Sequence, residues 1–206
     1  MNALPRRRGR GARLPRRSLM IGAGLFPIVI AGCGTGVAER TVATGDEDLL
    51  EAHGFADADA RAIIDQLEAL PVAERPQDLI ASVTPVSLQL QDEVGREAEL
   101  PLPEGLFYLS VAPYLETTHE CAFHSLTTCR GELSNREITV RAVDSSSGET
   151  LEDGTRTTHD NGFLGLWLPR GITVELTCTV EDVTGTASID TQAEDALTCL
   201  TSLQLT

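Results

Sequence analysis

Two of the chain's four histidines and two of its five cysteines fall within one short stretch, Thr118-His119-Glu120-Cys121-Ala122-Phe123-His124-Ser125-Leu126-Thr127-Thr128-Cys129. Thiolate and imidazole together suit a soft or borderline ion, Cu(I) or Zn(II). The Cys-x7-Cys interval is not a zinc-finger spacing, and a ring of that size serves equally well as a disulfide loop. Cys178 and Cys199 lie further along the chain. Four thiols in an exported protein would by default close two disulfides, with three ways to connect them. Residue types and spacing therefore leave a metal centre and a disulfide framework both open.

The elements that must hold these residues can be read from periodicity. Asp46 to His53 is a short acidic helix with Gly54 placed to end it. Asp57 or Asp59 can cap a second helix, on which Ala60, Ile63, Ile64 and Leu67 form one apolar stripe before Pro71 stops it. Gln77 to Val83, between Pro76 and Pro85, is expected as a third short helix. From about Ser87 the period changes to two. Leu88 and Leu90, Leu100 and Leu102, Phe107 to Val111 and Glu137 to Val143 read as strands, followed by Ile172 to Val180, Thr186 to Ile189 and Thr198 to Leu205. Thr155 to His159 and Phe163 to Leu168 flank Asp160-Asn161-Gly162, a hairpin turn signal. The expected fold is α+β, a small N-terminal helical segment followed by an antiparallel β-sandwich-like domain. Trp167, the single tryptophan, sits among leucines and is expected in the core.

The N-terminus reads as an address. Seven arginines and no acid occupy residues 1–32, and an apolar run from Leu19 to Ala31 ends in Ile30-Ala31-Gly32-Cys33. Thirteen residues at 1.5 Å rise cover about 20 Å, short of a bilayer core of about 30 Å, so a signal peptide fits better than a spanning helix. An aliphatic residue, two small residues and a cysteine look like a lipobox, which implies cleavage before Cys33 and lipid on its sulfur. Arg16-Arg17-Ser18-Leu19-Met20 also resembles a twin-arginine export signal. The expected organisation is residues 1–32 as lipoprotein signal peptide, 33–45 as flexible tether, 46–86 as helical segment and 87–206 as β-rich domain.

Residues 33–206 carry nine arginines, no lysine and all 31 acidic residues, a net of −22. That charge argues against nucleic-acid binding, is compatible with attracting cations, and also serves solubility. Both methionines lie in the N-terminal 32 residues, so any soft-metal site in the body is built from cysteine. His53 and His159 stand alone beside turns. The acidic pairs Glu152-Asp153 and Glu194-Asp195 read as solvated turns, and Asp144 to Gly148 reads as a loop. No nucleophile–base–orienter set is evident, so the chain is read as a binding protein and not an enzyme.

The run His119 to Leu133, the stretches Asp160-Asn161-Gly162-Phe163 and Gly165-Leu166-Trp167-Leu168-Pro169-Arg170, and the C-terminal Thr198 to Thr206 resemble, in that order, the CueP family of extracytoplasmic copper-binding proteins. Ile63 to Val83 is similar as well, and the resemblance spans roughly Leu49 to Thr206. It implies a role in copper handling and resistance outside the cytoplasm, with a link in some bacteria to copper supply for a superoxide dismutase. It also implies a copper site of three cysteines, carried here by Cys121, Cys129 and Cys199, with His119 and His124 as further ligands or as groups that orient the thiolates. Copper as Cu(I), with Cu(II) as the form reduced by the thiols, is the implied cargo. Zinc is the less favoured alternative, and a homodimer is an open option. Cys178 falls outside the three family cysteines. A buried small hydrophobe, a disulfide to Cys199 and a fourth ligand favouring tetrahedral zinc all remain open for it. The competing reading of the whole is a disulfide-stapled surface lipoprotein that binds another protein without metal.

Overall fold

The structure is a computed structural model that describes residues 44–206. The expected export signal, the expected lipidation at Cys33 and nearly all of the expected tether lie outside the described residues. Helix α1 (Thr44–Ala52) ends as its glycine requires. Gly54 sits at φ 77°, its N–H reaches Glu51 O, and Phe55 N–H reaches Leu50 O at 2.6 Å. This is the paired closure of a Schellman cap. Helix α2 (Ala60–Ala69) is capped by Asp59, whose carboxylate accepts the Ala62 N–H at 2.8 Å. The stripe of Ala60, Ile63, Ile64 and Leu67 is buried, and Glu68 is buried with it.

Eleven strands follow: β1 (Leu79–Val83), β2 (Ser87–Asp92), β3 (Glu97–Pro101), β4 (Leu106–Val111), β5 (His124–Ser125), β6 (Glu137–Asp144), β7 (Thr150–Thr157), β8 (Leu164–Pro169), β9 (Thr173–Val180), β10 (Val183–Asp190) and β11 (Cys199–Leu200). They form three sheets, ordered β3-β2-β1-β5, β10-β9-β6-β7 and β11-β4-β8. All pairings are antiparallel except β11 with β4.

Two expectations are corrected. Residues 77–83 are not a helix: β1 pairs with β2 from Leu79↔Asp92 to Val83↔Leu88. Leu79, Ala81 and Val83 face inward while Ile80 is exposed, a period of two that the flanking prolines permit. The helical segment therefore gives way to sheet well before residue 86. The Asp160–Gly162 turn is also not a hairpin loop, because β7 pairs with β6 and β8 pairs with β4. It carries the chain from one sheet to another.

The three-stranded sheet is the middle layer. Phe107, Leu109 and Val111 of β4 and Leu164, Leu166 and Leu168 of β8 pack against Ile138, Val140, Val174 and Leu176 of the β10-β9-β6-β7 sheet. Alternation sends Tyr108 and Trp167 to the opposite face, into a second core made by α1, α2 and β1–β3. Trp167 is only partly buried, with its indole N–H donating to Asp65 at 2.9 Å and the Arg61 guanidinium 5.0 Å over its ring. A third, small cluster of Ala112, Phe163 and Cys199, with Cys121 and Cys129 against it, closes one end of the middle sheet. No helix among the described residues is long and apolar enough to cross a membrane.

Candidate metal centre

The centre lies where an irregular loop after β4, strand β5 with its following turn, and β11 converge. Glu132 pins the loop: its carboxylate accepts the backbone N–H groups of Leu115 at 2.7 Å, Glu116 at 3.1 Å and Thr117 at 3.3 Å. These bonds hold its carboxyl below the usual range, although its limited burial acts the other way. Strand β5 hangs on the edge of β1, with Val83 opposite His124 and Ser82 opposite Ser125. One turn later the Cys129 N–H bonds Ser125 O at 3.1 Å, and the Ser125 N–H donates to Cys129 Sγ at 3.4 Å.

Strand β11 reaches the same place from the far end of the sequence. The N–H groups of Thr198 and Cys199 both donate to Ala122 O, at 3.1 and 3.3 Å. The Thr198 hydroxyl accepts the His124 N–H at 3.1 Å and donates to Val83 O at 2.5 Å. Sequence neighbours of the thiols thus do the work of bringing Cys199 to Cys121 and Cys129.

Cys121 Sγ lies 3.6 Å from Cys129 Sγ, and Cys199 Sγ lies 3.8 Å from His124 Nδ1. Two overlapping groups could hold an ion, His119–Cys121–Cys129 and His124–Cys129–Cys199, each with its donor atoms within 4.8 Å of one another. Cys129 belongs to both. The first group is open to solvent through the exposed His119, whereas His124 and Cys199 are buried. All five residues singled out in this region by the sequence are therefore brought together. All four described cysteines are free thiols. Cys178 is elsewhere, fully buried in the core between sheets and opposite Val140 and Gly185. Burial pushes its thiol up to about 12. Of its three readings, the structure supports the small buried hydrophobe.

Charge within the cluster gathers on one sulfur. Hydrogen bonds from Cys121 and Cys199, with His124 behind them, hold the Cys129 thiol far below its ordinary value. The cost falls on its neighbours: contact with Cys129 raises Cys121 to about 12, and contact with the other two sulfurs raises Cys199 strongly. His124 is fully buried. Burial alone would lower its pKa, but Glu68 and Cys129 lift it to about 9.

Sequence reasoning did not single out the groups behind His124. Glu68, 3% exposed, sits with Oε2 3.0 Å from His124 Nε2. It also accepts the Tyr108 hydroxyl at 3.0 Å and the Asn161 amide at 3.3 Å. Burial acts to raise the Glu68 carboxyl, but His124, Arg75 and Tyr108 outweigh it and hold it below its usual value. The available signal was a glutamate one turn after Ile64, on the apolar stripe of α2. In the sequence Asn161 and Gly162 stand out as turn formers and as part of a family-like stretch, and neither points to Glu68. Gly131 N–H donates to Asn161 O at 2.6 Å, and an added Cβ on Gly162 would sit 2.5 Å from Gly131 O.

Thiols and imidazoles gathered at the end of a β-layered body define a site suited to a soft metal ion. The chain belongs to the CueP family: the family model described as "Periplasmic copper-binding protein CueP" matches residues 62–204. A solved structure described as "Crystal Structure of S.CueP" is 35% identical, with a TM-score of 0.73, covering 80% of this chain and 99% of its own. No curated protein matches the chain. Family membership carries copper binding and an extracytoplasmic location.

Proposed function

We propose that the protein is a lipid-anchored carrier of Cu(I) on the outer face of the cell membrane, on the periplasmic or cell-wall side. It holds the ion through the thiolates of Cys121, Cys129 and Cys199. The observation that carries this reading is that Cys129 is common to both groups of potential ligands, with Cys121 beside it in one and Cys199, from a distant segment, in the other. Two sulfurs each about 2.3 Å from one trigonal ion lie about 4 Å apart; Cys121 and Cys129 stand at 3.6 Å. Cu(I) is the soft ion that thiolates select. Zinc is less favoured, because a closed zinc site takes four donors and each of the two groups here brings three together. His119 and Cys121 form the exposed side, where the ion arrives and leaves. His124 and Cys199 form the buried side.

The protein carries its ion and turns over no substrate. Its role is copper resistance, with delivery to an acceptor such as a superoxide dismutase. Where copper arrives as Cu(II), two thiolates can close to one disulfide. That releases two electrons, which reduce two Cu(II) to two Cu(I), and any thiol proton passes to water. The same 3.6 Å approach of Cys121 and Cys129 favours a second reading. In it the exported protein rests as a Cys121–Cys129 disulfide and serves as a protein-binding lipoprotein without metal.

X-ray absorption of the reduced, copper-loaded protein tests the choice. The copper reading expects a sulfur-dominated shell at about 2.3 Å. A shell of nitrogen and oxygen alone would overturn it.

A further inference from the structure

The last turn of α2 places a carboxylate behind the metal centre. Glu68 is buried, and each of its oxygens is engaged: Oε2 by His124 Nε2 and the Tyr108 hydroxyl, both at 3.0 Å, and Oε1 by the Asn161 amide at 3.3 Å. Burying a carboxylate is costly unless it is fully partnered, so an apolar helix face gains nothing from one there. The imidazole has two nitrogens. Glu68 occupies Nε2, and the nitrogen left facing the sulfurs is Nδ1, 3.8 Å from Cys199 Sγ. The ring is held from its face as well, with Phe163 at a centroid separation of 4.6 Å.

We infer that Glu68 is a positioning residue of the copper centre, fixing the His124 ring through Nε2 so that Nδ1 is presented to the ion beside Cys129 and Cys199. This rests on the copper reading above. A metal-bound histidine commonly gives its second N–H to a carboxylate, which sets both tautomer and ring orientation. The position of Glu68 is itself secured. The Arg75 guanidinium, buried beside it, donates to Glu68 O at 3.0 Å on α2, to Leu70 O at 3.2 Å at the helix's C-cap, and to Leu126 O just after β5. The helical segment is thereby part of the metal site and not an appendage to it.

The test compares wild type with Glu68→Ala, Glu68→Gln and Val140→Ala, reading Cu(I) affinity, the nitrogen contribution to copper X-ray absorption, and Tm. Glu68→Ala is expected to lower affinity about 10- to 100-fold and to remove the nitrogen scatterer. Glu68→Gln keeps an acceptor for the Nε2 proton and is expected to rescue both. Val140→Ala opens a gap in the core between the middle sheet and the β10-β9-β6-β7 sheet, away from the site, and is expected to lower Tm while leaving affinity and nitrogen unchanged. Unchanged affinity and nitrogen in Glu68→Ala would overturn the inference. So would a loss in Val140→Ala as large as that in Glu68→Ala, since the effect would then be one of stability. Should Glu68→Ala fail to fold, nitrogen-15 NMR of the Cu(I)-loaded wild type decides. A proton on His124 Nε2 with Nδ1 bound to metal is expected, and a proton on Nδ1 would overturn it. If instead wild type itself binds no copper, it is the copper reading that fails.

Discussion

Crowded thiols share their charge unequally. The other two sulfurs, with His124 behind them, hold the Cys129 thiol far below its ordinary value, while the same contacts raise Cys121 and Cys199. Loading copper requires the thiol protons to leave, and affinity should fall as pH is lowered. Cys178 follows a different rule: it is packed as a small hydrophobe. Cys178→Ser is expected to cost about 1–3 kcal/mol, because its hydroxyl would be buried without a designed partner. Chemical denaturation should register that loss, and copper stoichiometry should stay the same. Alkylation of the native apo protein should label Cys121 and Cys129 well before the buried Cys178 and Cys199, as mass mapping of a time course would reveal. His119, exposed beside Cys121, is expected to govern transfer more than affinity. His119→Ala should slow copper handover to a chelator's competitor site while leaving equilibrium binding nearly intact.

At the scale of elements, the site depends on how loops are pinned. Gly162 has φ +81°, and a Cβ there would meet Gly131 O at 2.5 Å; Gly148 has φ +73° with nothing within 4 Å. Both alanine variants pay about 1–2 kcal/mol for the left-handed backbone. Only Gly162→Ala should also push on the loop that follows Cys129, so it alone should weaken Cu(I) binding in addition to lowering Tm. Glu132 supplies a pH test. Its folded pKa is lowered, so its share of stability is present above its ordinary value of 4.5 and is lost as pH falls below that. Between pH 5 and 3 the wild-type Tm should drop more than that of Glu132→Gln, and equal drops would contradict the assignment.

The strands with clean alternation, such as β6 and β9, were legible in the sequence because each buries one face, and β4 was legible as a short apolar run buried on both faces. Residues 77–83 were not, because proline flanks suit either a helix start or an extended run and only the partner β2 decides between them. The Asp160-Asn161-Gly162 turn was legible as a turn. That it joins two sheets, and that its asparagine reaches Glu68, depends on tertiary packing. The site cysteines and histidines were legible through their resemblance to a known family. Glu68, Tyr108 and Arg75 come together only through the fold.

At the scale of the whole molecule, the sequence falls into two unlike parts, a basic stretch over residues 1–32 and a remainder of net charge −22. Residues 1–43 lie outside the described structure, and anchoring is argued from the sequence around Cys33. Cys33→Ser is expected to move the protein from the membrane fraction to the soluble extracytoplasmic fraction without changing the Cu(I) affinity of the body. Retention of Cys33→Ser in washed membranes would contradict lipid attachment at that residue. The body's acidity should draw cations over a distance set by ionic screening. Copper association should therefore slow as salt is raised, while the thiolate-held complex, once formed, should dissociate at a rate nearly independent of salt. The layered fold carries the site at one end of the middle sheet, where β11 arrives parallel to β4 and brings Cys199 to the other two thiols. That closure is the central claim. Its most direct test is an anaerobic Cu(I) titration of the reduced soluble body against a coloured chelator, in wild type and in Cys121→Ser, Cys129→Ser, Cys199→Ser and Cys178→Ser. One tightly held Cu(I), lost in the first three variants and kept in the fourth, is the predicted result. A wild type that leaves all copper with the chelator, or a Cys199→Ser variant that binds as tightly as wild type, would contradict it.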